Sequence, residues 1–151
     1  MKLFQIEEPD GLPVDPAAPG AAIGIDASGQ VTEVAFSIGG NAVMLRDRDG
    51  FERVLAVPEP DGDWQGLFEG ARLRAERTLA RPVTHAVVVL ATEPDASLVA
   101  KLLHAAEAAG LTVLHFTTAD EVLSEEPAAE TAATLAEDIA PRPAGTIDTA
   151  P

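Results

Sequence analysis

The chain has 151 residues, 46% of them hydrophobic and only 4% aromatic, and a formal net charge of −15. That length fits one domain with a core built mainly from Val, Leu, Ile and Ala. The charge argues against nucleic acid and anionic membrane surfaces as partners, since gripping phosphates needs clustered Lys and Arg. The lack of cysteine excludes disulfides, thiolate metal sites, a thiol nucleophile and a Cys-ligated iron–sulfur cluster on this chain.

Residues 1–20 divide in two. "KLFQI" is a short apolar patch, and "EEPDGLPVDPAAPG" is rich in Pro and Gly and reads as an extended linker. The opening "MKLFQIEEPDG" has one Lys, then two Glu, and no apolar h-region, so it does not read as a signal peptide. No apolar run approaches the length of a membrane span, and the cytoplasm is the expected compartment.

The compact part is expected to begin at Ala21 and close at residue 123. "AAIGID" (21–26) is a continuous apolar run ending on an aspartate, the pattern of a buried strand. "QVTEVAFSI" (30–38) alternates, "GGN" (39–41) supplies a hairpin turn, and "AVMLRD" (42–47) reads as the next strand. "RDG" (48–50) marks a further turn, and "RVLAV" (53–57) reads as another strand. After "PEPDGD", Asp63 is placed to cap a helix running from Trp64 to about Ala80, with Leu67, Phe68, Ala71, Ala75 and Leu79 on one face. "AVVVLA" (86–91) suits the middle of a parallel sheet covered on both faces. Asp95 caps a second amphipathic helix carrying Leu98, Leu102 and Ala106, and Gly110 stands where a helix C′ glycine belongs. "LTVLHF" (111–116) is the last strand; the helical crossover before it predicts that it runs parallel to "AVVVLA". From residue 124 to 151 the composition turns to Ala, Glu, Thr and Pro. A short, weakly amphipathic helix near 128–139 is expected within a largely disordered acidic tail.

Three antiparallel strands followed by two crossover-linked parallel strands resemble the α/β ribonuclease-H-like fold shared by actin, sugar kinases and the seventy-kilodalton heat-shock chaperones. The chaperones fit best at residue level. "GIDASGQVTEVAF" (24–36) aligns without a gap on their first phosphate motif, and "AGLTVLHF" (109–116) is similar to the strand that follows their second crossover helix. "LFQIEEPDG" (3–11) resembles the opening of the HscA-type chaperone, the member serving iron–sulfur cluster assembly. The resemblance covers about residues 3–123 and implies a truncated, degenerate member corresponding to the N-terminal half of the first ATPase lobe.

The departures bear on activity. In that family the phosphate turn grips nucleotide with backbone N–H groups and Thr hydroxyls beside a metal-linked aspartate. Here Asp26 keeps the aspartate, but Ala27, Ser28, Gly29 and Gln30 follow it, and both hydroxyls of the Thr pair are lost. Ala91 stands where the family has Pro. Ala119 stands where it has a carboxylate, with Asp120 and Glu121 nearby. Only "PEPDGD" fills the place of an inserted subdomain that carries the family's catalytic lysine. Asp26–Gln30 is therefore expected to be a relic phosphate turn, with no catalytic residue, cofactor or metal.

The remaining candidates are few. His85, His104 and His115 fall on different elements without metal-ligand spacing. No GxSxG, HExxH or P-loop is present. Trp64, the only Trp, is either a core anchor or an exposed partner contact. Leu3, Phe4, Ile6, Glu7 and Glu8 are candidates for docking a partner, as a strand or helix. The expected function is a non-catalytic protein-interaction module, an accessory in iron–sulfur protein assembly whose partners are a co-chaperone, a scaffold or an iron–sulfur client. The alternative is one lobe of a nucleotide-binding assembly completed by a partner chain. Surfaces that a full chaperone would cover need another cover here, either the acidic tail folding back or a homodimer through the sheet edge.

Overall fold

A computed structural model describes residues 20–45, 55–122 and 126–140. The elements are β1 (Ala21–Ala27), β2 (Glu33–Ile38), β3 (Asn41–Met44), α1 (Trp64–Leu79), β4 (Val83–Leu90), α2 (Ala96–Ala108), β5 (Thr112–Thr118) and α3 (Ala128–Ile139). The strands form one open mixed sheet in the order β3-β2-β1-β4-β5. β1 pairs antiparallel with β2, and β2 with β3; β1 and β4 are parallel, as are β4 and β5.

Local chemistry accounts for most boundaries. Gly39 and Gly40 both take positive φ, 62° and 86°, between the paired Ile38 and Asn41. A two-residue hairpin turn of this hand needs such angles, which glycine reaches without a Cβ penalty. Asp63 caps α1 by accepting from the Gly66 amide at 2.8 Å, and Asp95 caps α2 by accepting from the Leu98 amide at 2.8 Å. α2 ends with Gly110 at φ 88°, the Gly110 amide donating to Glu107 O and the Leu111 amide to Ala106 O. Leu111 is buried as the apolar partner of that cap. α1 ends instead on Ala80 in the left-handed region, φ 57°.

Side-chain parity divides the core between the two faces of the sheet. Ile23, Ile25, Val34, Ala86, Val88 and Leu90 meet α1 and α2 on one face. Trp64 lies in this layer, 4% exposed, its indole nitrogen donating to Glu59 O at 2.9 Å and its ring centroid 6.2 Å from that of Phe68. Of the two readings of Trp64, the core anchor holds, and the exposed partner contact is corrected. Arg72 of α1 ties the layer together: its Nε donates to Ala109 O at 2.7 Å and it pairs with Glu76, whose other oxygen accepts from the Val83 amide.

The opposite face carries the main departures from expectation. The helix expected near 128–139 is present as α3, but not within a loose tail: it lies across β1, β2 and β4. Ala129, Ala132, Ala133 and Ala136 are buried against Ala22, Ala35, Val87 and Val89. The compact unit therefore runs past residue 123, and the segment after residue 124 covers the sheet, as the fold-back expectation had it. The approach is close because both sides are small. A Cβ built on Gly24 would meet Ala129 O and Ala133 N, and would lie 2.8 Å from the carbonyl carbon of Ala132. Of the strand expected over 53–57, the described residues 55–57 form a bridge between Ala56 and Val31, flanked by Thr32 N to Leu55 O and Val57 N to Gln30 O. Positions 53 and 54 and the turn at 48–50 lie outside the described residues.

Candidate functional site

In an open α/β sheet, ligands bind beyond the carboxyl ends of the parallel strands. Here those ends belong to β1, β4 and β5, and the register rows Asp26–Val89–Thr117 and Ala27–Leu90–Thr118 form the edge. The turn Asp26–Gln30, singled out on the sequence as a phosphate-turn relic, lies at this edge, at the end of β1. The same edge holds Ala91, Ala119, Asp120 and Glu121, so the topology brings together the positions singled out on the sequence.

Their geometry is closed. The Ser28 amide donates to Asp26 Oδ1 at 2.9 Å, and the Ser28 hydroxyl donates to the same oxygen at 2.6 Å. The aspartate thus organises its own turn, as a short polar side chain does two residues before an amide. Gly29 and Gln30 are exposed. A Cβ on Gly29 would have no atom within 4 Å, and its φ lies outside the positive range, so neither a close approach nor the backbone requires glycine there. A phosphate cradle uses glycine for those two reasons.

The other carboxylate at the edge is also engaged. Glu121 Oε1 accepts from the Thr117 hydroxyl at 2.9 Å and from the Thr118 amide at 3.2 Å. The Thr117 hydrogen bond, followed by that of the Thr118 amide, holds the Glu121 carboxyl below its ordinary pKa. Ala119 contributes only its amide, which donates to Leu90 O at 3.0 Å, and Asp120 is exposed. Asp26 and Glu121 each bind their own turn through one carboxylate oxygen, Oδ1 and Oε1. Gly29 and Gln30 bring no hydroxyl to this edge.

One residue that sequence reasoning missed sits beside the turn. Thr32 is 7% exposed, and its hydroxyl has no hydrogen-bond partner among the described residues. Its place in an alternating strand offered no signal; in the structure its amide donates to Leu55 O, a residue distant in sequence. The histidines stay apart: His104 and His115 are exposed, and His85, at the amino end of β4, contacts the Thr84 hydroxyl through Nδ1 at 2.6 Å. Burial lowers the His85 pKa. Among the described residues no three His, Asp or Glu side chains gather in a way that could hold a metal ion. Among them also, no helix is long and apolar enough to cross a membrane. Leu3, Phe4, Ile6, Glu7 and Glu8 lie outside the described residues.

The chain matches no protein-family model and no curated protein. Its functional reading rests on its own residues and their arrangement.

Proposed function

We propose that the chain is a non-catalytic protein-interaction module built on a ribonuclease-H-like lobe of the chaperone ATPase type. The strand order β3-β2-β1-β4-β5, with two helices on one face and a third on the other, supports the fold reading. The observation that carries the function is the closed turn: Asp26 accepts both hydrogen bonds of Ser28, where a working phosphate loop would present its donors and carboxylate to a nucleotide. A role beside iron–sulfur protein assembly, with a co-chaperone, scaffold or client as partner, draws its support from the opening "LFQIEEPDG".

Calorimetric titration with Mg-ATP and Mg-ADP, alongside affinity capture from the native cell, tests this reading. No heat of nucleotide binding, with specific recovery of a co-chaperone, scaffold or iron–sulfur client, is the expected result. Micromolar nucleotide binding by the isolated chain would overturn the closed-turn argument. Nucleotide binding only after a partner chain is added would favour the two-chain nucleotide assembly instead.

A further inference from the structure

At the end of the sheet away from the relic turn, a groove of about 210 Å³ opens between the start of β1 and the end of β2. Its apolar wall includes Phe36, Ile38 and Leu79, and Ile38 is 50% exposed. Two charged side chains line it, and they differ in availability. Glu137 is committed: its carboxylate accepts from the Ser37 hydroxyl and from the Gly39 and Gly40 amides at 2.7–3.0 Å. Arg81 forms no ion pair with a carboxylate among the described residues. The groove therefore offers an apolar wall with one available positive charge, on a molecule whose formal net charge is −15.

Both ends of the described chain reach this groove, since Gly20 and Ala140 line it. The eleven residues after Ala140, "PRPAGTIDTAP", contain a single large apolar side chain, Ile147. The nineteen before Gly20 contain Leu3, Phe4 and Ile6 together, followed at once by Glu7 and Glu8. That pattern is apolar with two acidic residues on its C-terminal side and Lys2 on the other, and the apolar–acidic part complements the groove. Pro9-Asp10-Gly11 carries the residue types of a chain-reversing turn. The eight residues 12–19, with Pro13, Pro16 and Pro19, span about 25 Å when extended at ~3.1 Å per residue. A turn at 9–11 sends residues 3–8 back along that length, toward Gly20. A tether this short also gives the segment a millimolar-range effective concentration at the groove, which a second copy bearing the same negative charge does not have.

We infer that the groove is the docking site of the chain's own N-terminal segment, with Leu3, Phe4 and Ile6 against the Phe36–Ile38–Leu79 wall and Glu7 or Glu8 facing Arg81. This inference does not depend on the chaperone-lobe reading, because the groove and the relic turn lie at opposite ends of β1.

The absence of native cysteine permits a clean test in the full chain. A nitroxide attached at Gln5→Cys is expected to broaden the amide resonances of Ala21, Phe36, Ile38 and Arg81. Phe4→Glu, added to the same chain, is expected to restore their intensity, and Arg81→Glu to restore it in part. Both changes leave the buried core untouched, and unchanged amide dispersion elsewhere checks that the fold persists. Broadening that survives Phe4→Glu would reflect tether proximity alone and would overturn the docking. Broadening that reaches isotope-labelled, spin-free chains mixed with spin-labelled ones would assign the groove to a second copy and overturn the intramolecular docking. Unbroadened groove resonances would overturn it outright.

Discussion

Thr32 and Glu121 show two opposite fates of a polar group at the same edge of the sheet. The Thr32 hydroxyl is buried without a partner among the described residues, so it keeps a desolvation penalty that a methyl group would not have. Thr32→Val is accordingly expected to leave urea unfolding unchanged or to raise stability by about 1 kcal/mol; a loss of that size would mean the hydroxyl has a partner in solution. Glu121, fully at the surface, titrates below its ordinary value because Thr117 and then Thr118 donate to its charged form. With the folded pKa depressed, the contact contributes above the ordinary glutamate range and is lost as pH falls through the folded value. The side-chain carboxyl carbon of Glu121 should therefore titrate at a lower midpoint than a free glutamate, and Thr117→Val should move that midpoint back up. A midpoint unaffected by Thr117→Val would remove the hydroxyl as the cause. Asp26 was legible in the sequence as a strand-end aspartate capping its own turn, and its hydrogen bonds from the Ser28 amide and hydroxyl are that local contact.

At the scale of elements, α1, α2 and the strands β1, β2, β4 and β5 announce themselves through periodicity, caps and turn residues. β4 extends to Val83 and β5 to Thr118, beyond the continuous apolar runs that mark them, since Val83 pairs with Ala21 and Thr118 with Leu90. α3 is the instructive case. Its buried face is entirely alanine, a composition shared by tails and packed helices alike, so hydropathy alone did not separate the two. What makes alanine sufficient is the surface opposite: Gly24, Ala22 and Ala35 let the helix backbone come down onto the strands. Glu137 then fixes its last turn to the β2–β3 hairpin through the two glycine amides and Ser37. Gly24→Ala should cost about 3 kcal/mol, because overpacking here drives a methyl group into helix backbone rather than into a flexible side chain. Gly29→Ala, in open space, should fall between no effect and a gain of about 1 kcal/mol. Equal denaturation midpoints for the two variants would refute this account of the α3 contact.

For the molecule as a whole, the sheet is sandwiched, and its second cover comes from the part of the chain least like a folded domain in composition. A chain ending at residue 125 would bare Val87 and Val89, both fully buried in the intact structure. It is expected to lose cooperative thermal unfolding, whereas a chain ending at residue 140 should keep it; equal transitions for both would show that α3 adds nothing to the core. By itself the sequence determined the order of strands and helices, the parallel sense of β4 and β5, the helix caps and the hairpin glycines, because each depends on a few neighbouring residues and on the repeat length of a helix or strand. Only the tertiary structure decided that α3 belongs to the core, that Trp64 is buried and that the Thr32 hydroxyl is buried. Each of those rests on contacts between distant segments, where shape, and not local composition, determines what can touch.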